Sequence, residues 1–278
     1  MSKVGITNQE KINKLNCFVL PGHIRDCQPE YLELYNQAYR FWHEFMGKEM
    51  ESEKLTDIES KLSSDGFMLF KDIYILCYEN NEDSKPSQYT YKHPKQQTKS
   101  ITEIVGLFCF DDKDVTSPAV LGQSYFKAYP KDILEQYIMQ ATSIMTIGHL
   151  LVHPQWRRKQ IGIGLSDILV WFMHKRFAES GTDLMIYFTR NNRGTDDLGI
   201  KFGGTAILEH YNYGGLDAHI IATKPQDIIM DCGTPEINWL SELLWDNRIN
   251  CNLNMGKNNN RTNEDFKLSN QIKPHNRI

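Results

Sequence analysis

From residue 143 to residue 223, apolar segments of helical and of strand character alternate, and this restricts the chain to a mixed sheet carrying helices on its faces. Ser143 to Val152 reads as a strand and Ile161 to Ser180 as a helix. Asp183 to Thr189 is a strand of continuous apolar character, as expected where both faces are covered. Gly181 stands where the preceding helix needs a left-handed residue to end. Thr195 to Phe202 is a short helix, and Thr205 to Tyr211 and Ala218 to Thr223 are strands about a Tyr-Gly-Gly turn. The fold class expected is α+β, with α/β-like alternation in this half.

The flanking segments extend that sheet. Leu15 to Leu20 reads as a short strand, and Pro29 to Met46 as a helix with Tyr31, Leu34, Tyr35, Ala38, Phe41, Trp42 and Phe45 at helical spacing. Ser52 to Leu62 reads as a second, more polar helix, Phe67 to Tyr78 as a strand, and Ile101 to Phe110 as another. The polar stretch from about 79 to 99 is expected to be an exposed, flexible loop. An insertion at about 113–142 becomes helical over Lys131 to Ala141. Thr234 and Pro235 supply an N-cap and a first-turn proline for a helix running to about Trp245. The expected organisation is one domain over 1–250 and a polar, disordered tail over 251–278.

Composition limits the function classes. A 40 % apolar content supplies a sizeable core, and a net charge of −4 argues against affinity resting on phosphate neutralisation along a nucleic acid. No basic, aromatic-interleaved surface is legible either. Six cysteines show neither a CxxC pair nor zinc spacing, so no metal is expected and the thiols read as reduced and buried in a cytoplasmic protein. Met1 to Leu20 lacks the apolar core of a signal peptide, and no run approaches the ~18 apolar residues of a membrane span.

Chemistry concentrates where the strand Leu150-Leu151-Val152 ends at His153-Pro154. A basic turn, Arg157-Arg158-Lys159-Gln160, leads into Ile161-Gly162-Ile163-Gly164 and the next helix. The first turn of a helix has unsatisfied N–H groups and partial positive charge, glycines admit a bulky ligand close to the backbone, and three cations add attraction. The pattern selects a phosphorylated ligand without naming one; the alternative is a plain strand–turn–helix with solvated cations.

These residues resemble the acyl-coenzyme A-binding motif of the GNAT superfamily, Arg/Gln-x-x-Gly-x-Gly/Ala. Starting it at Arg157 puts Gln160 at the first glycine position and Gly162 at the second; starting at Lys159 recovers Gly162 and Gly164 but loses the arginine. The Arg157 placement is preferred because Val152-His153-Pro154-Gln155-Trp156 precedes it in the family's order. A second stretch, Asn192 to Gly204, resembles Asn-x-x-Ala-x-x-Leu-Tyr-x-Lys-x-Gly-Phe, matching at Asn192, Leu198, Lys201 and Gly203. The resemblance covers residues 143 to 224 well. It implies a GNAT fold: a mixed, mostly antiparallel central sheet with helices on both faces, here with an N-terminal elaboration and a helical insertion. It also implies that Leu150, Leu151 and Val152 lie on a strand splayed from its neighbour and pair with the pantetheine arm. The amides from about Arg158 to Gly162 are then expected to hold the pyrophosphate, and Asn192 to contact the pantetheine chain.

The activity so implied is transfer of an acetyl or other acyl group from acyl-coenzyme A to a primary amine, on a small molecule or a protein, by direct attack in a ternary complex. The family's acid is often a tyrosine at position 199, where this chain has Gly199. Tyr211 and Tyr213 are candidate replacements, and His149 is the candidate general base, with a strand histidine of satisfied hydrogen bonding as the alternative. Glu103 is a further candidate. A longer-chain N-acyl synthase using acyl-coenzyme A or an acyl carrier protein, and a non-catalytic coenzyme A-binding module, are the competing readings.

Overall fold

A computed structural model describes residues 14–52, 54–55, 62, 67–81, 88–92, 100–157, 164–190, 194–231 and 234–253. In chain order these form β1 (Leu15–Pro21), α1 (Leu32–Ser52), β2 (Asp72–Asn81), β3 (Thr90–Tyr91), β4 (Ser100–Asp114), α2 (Pro118–Leu121), α3 (Ser124–Lys127), α4 (Lys131–Gln136), β5 (Ser143–Val152), α5 (Leu165–Ser180), β6 (Leu184–Arg190), α6 (Thr195–Lys201), β7 (Thr205–Tyr213), β8 (Leu216–Thr223), α7 (Pro235–Asp246) and β9 (Ile249–Asn250). One sheet runs β7-β8-β6-β5-β4-β2-β1-β9, with β3 also on β4. Only β5–β6 and β1–β9 are parallel. This is the mixed, mostly antiparallel sheet with helices on both faces that the resemblance implied.

The two faces carry different covers. Under α5 and α7 lie Tyr74, Leu76, Val105, Phe108, Met145, Ile147, Met185 and Tyr187. The other face is covered twice. Helix α1 buries Leu34, Tyr35, Ala38, Phe41 and Trp42 against Ile73, Ile75, Ile104 and Leu107, from the strands on one side of β5. The insertion buries Phe126, Tyr129, Ile133 and Ile138 against Leu184, Ile186, Ile220 and Ala222, on the other side. The spacing of the α1 residues is the one-face pattern of an amphipathic helix, and truncating Phe41 or Trp42 would cost about 3–5 kcal/mol.

Terminal signals act as their chemistry requires. Gly181 closes α5 at φ 72°, Thr234 caps α7 by accepting from the Ile237 amide at 3.3 Å, and Gly214 and Gly215 form the two-residue turn between β7 and β8 at φ 60° and 92°.

Four expectations need correction. The strand expected from Phe67 starts at Asp72; Phe67 instead packs against Tyr35, Tyr39 and Trp42 of α1. The loop expected from 79 carries the end of β2 and all of β3, and Tyr89 and Tyr91 within it are buried. The insertion is helical in its first half too, in α2 and α3. Within the expected tail, Cys251 is buried and its amide donates to the Val19 carbonyl at 2.9 Å. The polar helix expected over Ser52 to Leu62 and the tail beyond 253 lie outside the described residues, the former apart from 52, 54, 55 and 62.

Candidate active site between two diverging strands

β5 and β6 pair only through Ile144–Thr146 and Leu184–Ile186. Beyond that point β6 keeps its other neighbour, β8, as far as Arg190, and β5 keeps β4 as far as Val152. From Ile147 and Tyr187 onward no ladder joins the two facing edges among the described residues, and they separate into a wedge. An extended chain bearing amides can enter such a gap as an added strand. Leu150, Leu151 and Val152 form the β5 side of it. At the closed end the Asp183 carboxylate accepts from the Thr142 hydroxyl at 2.6 Å and from the Ser143 and Thr142 amides at 3.0 and 2.8 Å, and these bonds hold it down at about 2.

A β-bulge shapes the wedge. Against β4, Leu150 pairs with Phe108 but Ile147 pairs with Phe110, so β5 carries one extra residue between them. Ile147 and Leu150, three apart, consequently both face α5, and His149 is turned to the α1 face beside Trp42 and Phe70, with ring centroids 5.4 and 5.6 Å away. Gly148 is exposed and His149 half-buried, on the strand lying between the α1 cover and the insertion. Burial, with the Arg190 guanidinium adding to it, pushes His149 down to about 4, so it is neutral at physiological pH.

The mouth is cationic and spanned by one carboxylate. Arg157 follows β5, Arg190 ends β6, and Glu49 of α1 lies 3.7 Å from the first and 3.1 Å from the second. Sequence reasoning identified Arg157 but neither Arg190 nor Glu49, since nothing local marks a pair drawn from such distant parts of the chain. Arg158, Lys159, Gln160, Ile161, Gly162, Ile163 and Asn192 lie outside the described residues. Gly164 is the N-cap of α5, and Leu198 packs, partly buried, beneath α5. Lys201 pairs with the buried Asp167 of the first turn of α5 at 3.2 Å, tying α6 to α5.

The remaining sequence candidates sit apart. The Tyr211 hydroxyl donates to the Ala128 carbonyl at 2.6 Å, and Tyr213 stacks on Phe188 at 4.0 Å; both fasten the insertion side of the sheet. Glu103 is buried on β4, opposite Tyr78 and Thr90 and beyond the reach of β5, whose last pair is Gly106 with Val152. His153, singled out only as part of the motif, stacks against Phe41 at 6.2 Å and meets Phe45 and Tyr89 edge-on. Its Nδ1 accepts from the Gln155 amide at 3.3 Å, and burial lowers its pKa.

Tyr187 stands on the other strand of the wedge. It is the first β6 residue past the last β5–β6 pair, it faces α5 and α6, and its buried hydroxyl has no hydrogen-bond partner among the described residues. In the sequence it is a lone tyrosine in the apolar run Leu184-Met185-Ile186-Tyr187-Phe188 that opens the strand. Among the described residues, no group of three His, Cys, Asp or Glu side chains is placed to hold a metal ion, and no helix is long and apolar enough to cross a membrane.

No family model and no curated protein matches the chain. Solved structures similar to it include FeeM, an N-acyl amino acid synthase from uncultured soil microbes, at 10 % identity over 77 % of this chain and 92 % of that one, TM-score 0.45. A Drosophila melanogaster polyamine N-acetyltransferase is similar at 13 % identity over 75 % and 100 %, TM-score 0.45. The coenzyme A-dependent acyl-homoserine lactone synthase BjaI is similar at 11 % identity over 86 % and 94 %, TM-score 0.46.

Proposed function

We propose that the chain is an N-acyltransferase that moves an acetyl or other acyl group from acyl-coenzyme A to a primary amine by direct attack in a ternary complex. The wedge between β5 and β6, with Arg157 and Arg190 at its mouth, is the observation that carries this reading. In it, the β5 backbone over Leu150 to Val152 holds the amide-bearing arm of the donor substrate. Arg157, together with the turn from Arg158 to Gly162, attracts the pyrophosphate; Asn192 is assigned to the pantetheine chain and Leu198 to its apolar surroundings. Lys201 acts through Asp167 by holding α6 in place.

The amine approaches on the face where His149 is half-buried between two covers. A base held at about 4 cannot efficiently deprotonate an ammonium of pKa ~10, but nitrogen becomes far more acidic once it bonds to the carbonyl carbon. His149 therefore takes the proton after C–N bond formation has begun. Direct attack is favoured over an acyl-cysteine route because the five described thiols are buried, which pushes Cys17 and Cys27 up to about 12 and leaves no thiolate nucleophile among them.

Initial-rate kinetics with both substrates varied test this reading. Intersecting double-reciprocal lines support the ternary complex; parallel lines, or no turnover on any amine by protein that binds coenzyme A, contradict it, the latter favouring a binding module. The preferred donor length separates an acetyltransferase from a long-chain synthase.

A further inference from the structure

Two glycines from distant parts of the chain give way to one residue, Phe70. A Cβ at Gly148 of β5 would lie 2.2 Å from the nearest Phe70 ring carbon, and one at Gly22, just after β1, would lie 1.5 Å from the Phe70 carbonyl oxygen. Side chains do not approach so closely, so both positions are kept open for Phe70. Its segment is fastened from two directions: the Gly22 amide donates to the Lys71 carbonyl and the Lys71 amide to the Phe110 carbonyl, each at 3.0 Å. Phe70 is nonetheless only partly buried, Gly148 beneath its ring is exposed, and the ring stands at 86° to the His149 imidazole.

Gly148 lies where the wedge opens on that face of the sheet. Thr146 and Ile186 are the last pair of the β5–β6 ladder, and the next residues on the same face are Gly148 on β5 and Phe188 on β6. The Phe70 ring on Gly148 and the Phe188 ring therefore flank the opening, one from the α1 side and one from the insertion side. Phe188 is also partly buried, and Tyr213 at 4.0 Å and Tyr129 at 4.3 Å hold its ring in place. Two residues further on β6, Arg190 is near enough to His149 to act on its charge. Glu49 stands between Arg190 and Arg157, so this trio carries a net positive charge.

From this pair of rings, and resting on the acyl-coenzyme A reading above, we infer that the acceptor is a monoamine bearing an aromatic ring, and that Phe70 and Phe188 select it. The aryl group lies between the two rings with its amine beside His149. There it gains the offset and edge-to-face contacts that an alkyl chain of similar size lacks. The positive trio at the mouth works against a second ammonium, as a polyamine would carry.

Initial rates with acetyl- and octanoyl-coenzyme A as donors and phenethylamine, hexylamine and spermidine as acceptors test this. Wild type should favour phenethylamine over each of the others by about tenfold in kcat/KM. Phe70→Leu and Phe188→Leu keep an apolar side chain, so both are expected to fold and to bind free coenzyme A within about twofold of wild type by calorimetry. Each should raise the phenethylamine KM about three- to tenfold and leave hexylamine kcat/KM within about twofold. Gly148→Ala, which displaces the Phe70 ring without removing it, should shift the ranking in the same direction. A ranking led by hexylamine or spermidine, no turnover of phenethylamine, or a ranking unmoved by both leucine substitutions overturns the inference while leaving the donor reading intact. So does a change in preferred donor length with the acceptor ranking unchanged, since the rings would then line the acyl group. Failure of wild type to bind coenzyme A at all overturns the functional reading on which the inference rests.

Discussion

The Arg190 guanidinium lies 3.1 Å from the Glu49 carboxylate, so the last turn of α1 reaches across the sheet to the open end of β6. The same carboxylate lies 3.7 Å from Arg157 after β5. Both strands of the wedge are thereby fastened to one helix, and the two guanidiniums already face an anion of the protein's own. A phosphorylated ligand arriving at the mouth competes with that carboxylate for Arg157 and Arg190. Glu49→Gln is therefore expected to tighten binding of free coenzyme A about two- to fivefold at low ionic strength, with the gain shrinking as salt screens the site. Calorimetry at two salt concentrations checks it; weaker binding in the variant would mean that the bridge shapes the site rather than competing in it.

Acid stability should depend on buried imidazoles. His174, fully buried on α5, and His149 are both pushed down to about 4 by burial, from an ordinary value near 6.5. The unfolded chain thus binds more protons than the folded one between these values, and stability falls as pH drops through that window. For His174 the loss approaches roughly 3 kcal/mol when complete. Urea unfolding of wild type and His174→Gln from pH 7 to pH 4 should show a shallower decline in the variant.

In the proposed reaction the same depressed pKa should set the pH dependence of activity. With His149 neutral across the working range, kcat/KM should rise with pH toward the pKa of the acceptor amine and show no inflection near 6.5. His149→Ala should lower kcat about 10²-fold. An inflection near 6.5 that vanishes in this variant would contradict the burial-depressed value.

Tyr211 offers the opposite case. Its hydroxyl is committed to the Ala128 carbonyl, so Tyr211→Phe should cost about 1 kcal/mol of stability through a loosened insertion and leave kcat within twofold. A large fall in kcat without loss of stability would restore it as a catalytic candidate.

The strands were legible where apolar runs have sharp chemical ends. β5 matches the reading at both limits, Ser143 and Val152, because Thr142 and His153-Pro154 bound a mainly apolar run. What the run does not encode is where its neighbour leaves it: the pairing stops at Thr146, and the bulge that turns His149 over depends on the register against Phe108 and Phe110. The same holds for Tyr89 and Tyr91. Poverty in aliphatic residues suggested an exposed loop, yet two tyrosines in it are buried, Tyr89 against Phe41 and Phe45 and Tyr91 against Tyr31. Groups brought together from distant segments, such as Glu49 and Arg190, have no local signature. The basic stretch from Arg157 to Gln160, by contrast, is a continuous motif in the sequence, and beyond Arg157 it lies outside the described residues.

Calorimetric titration of the 278-residue chain with acetyl-coenzyme A, longer acyl-coenzyme A donors and free coenzyme A tests the central claim most directly, with Arg157→Ala and Gly162→Glu as controls. The account predicts micromolar, one-to-one binding, weakened by the first substitution and abolished by the second. Absence of binding by folded wild-type protein, or binding indifferent to both substitutions, would contradict it.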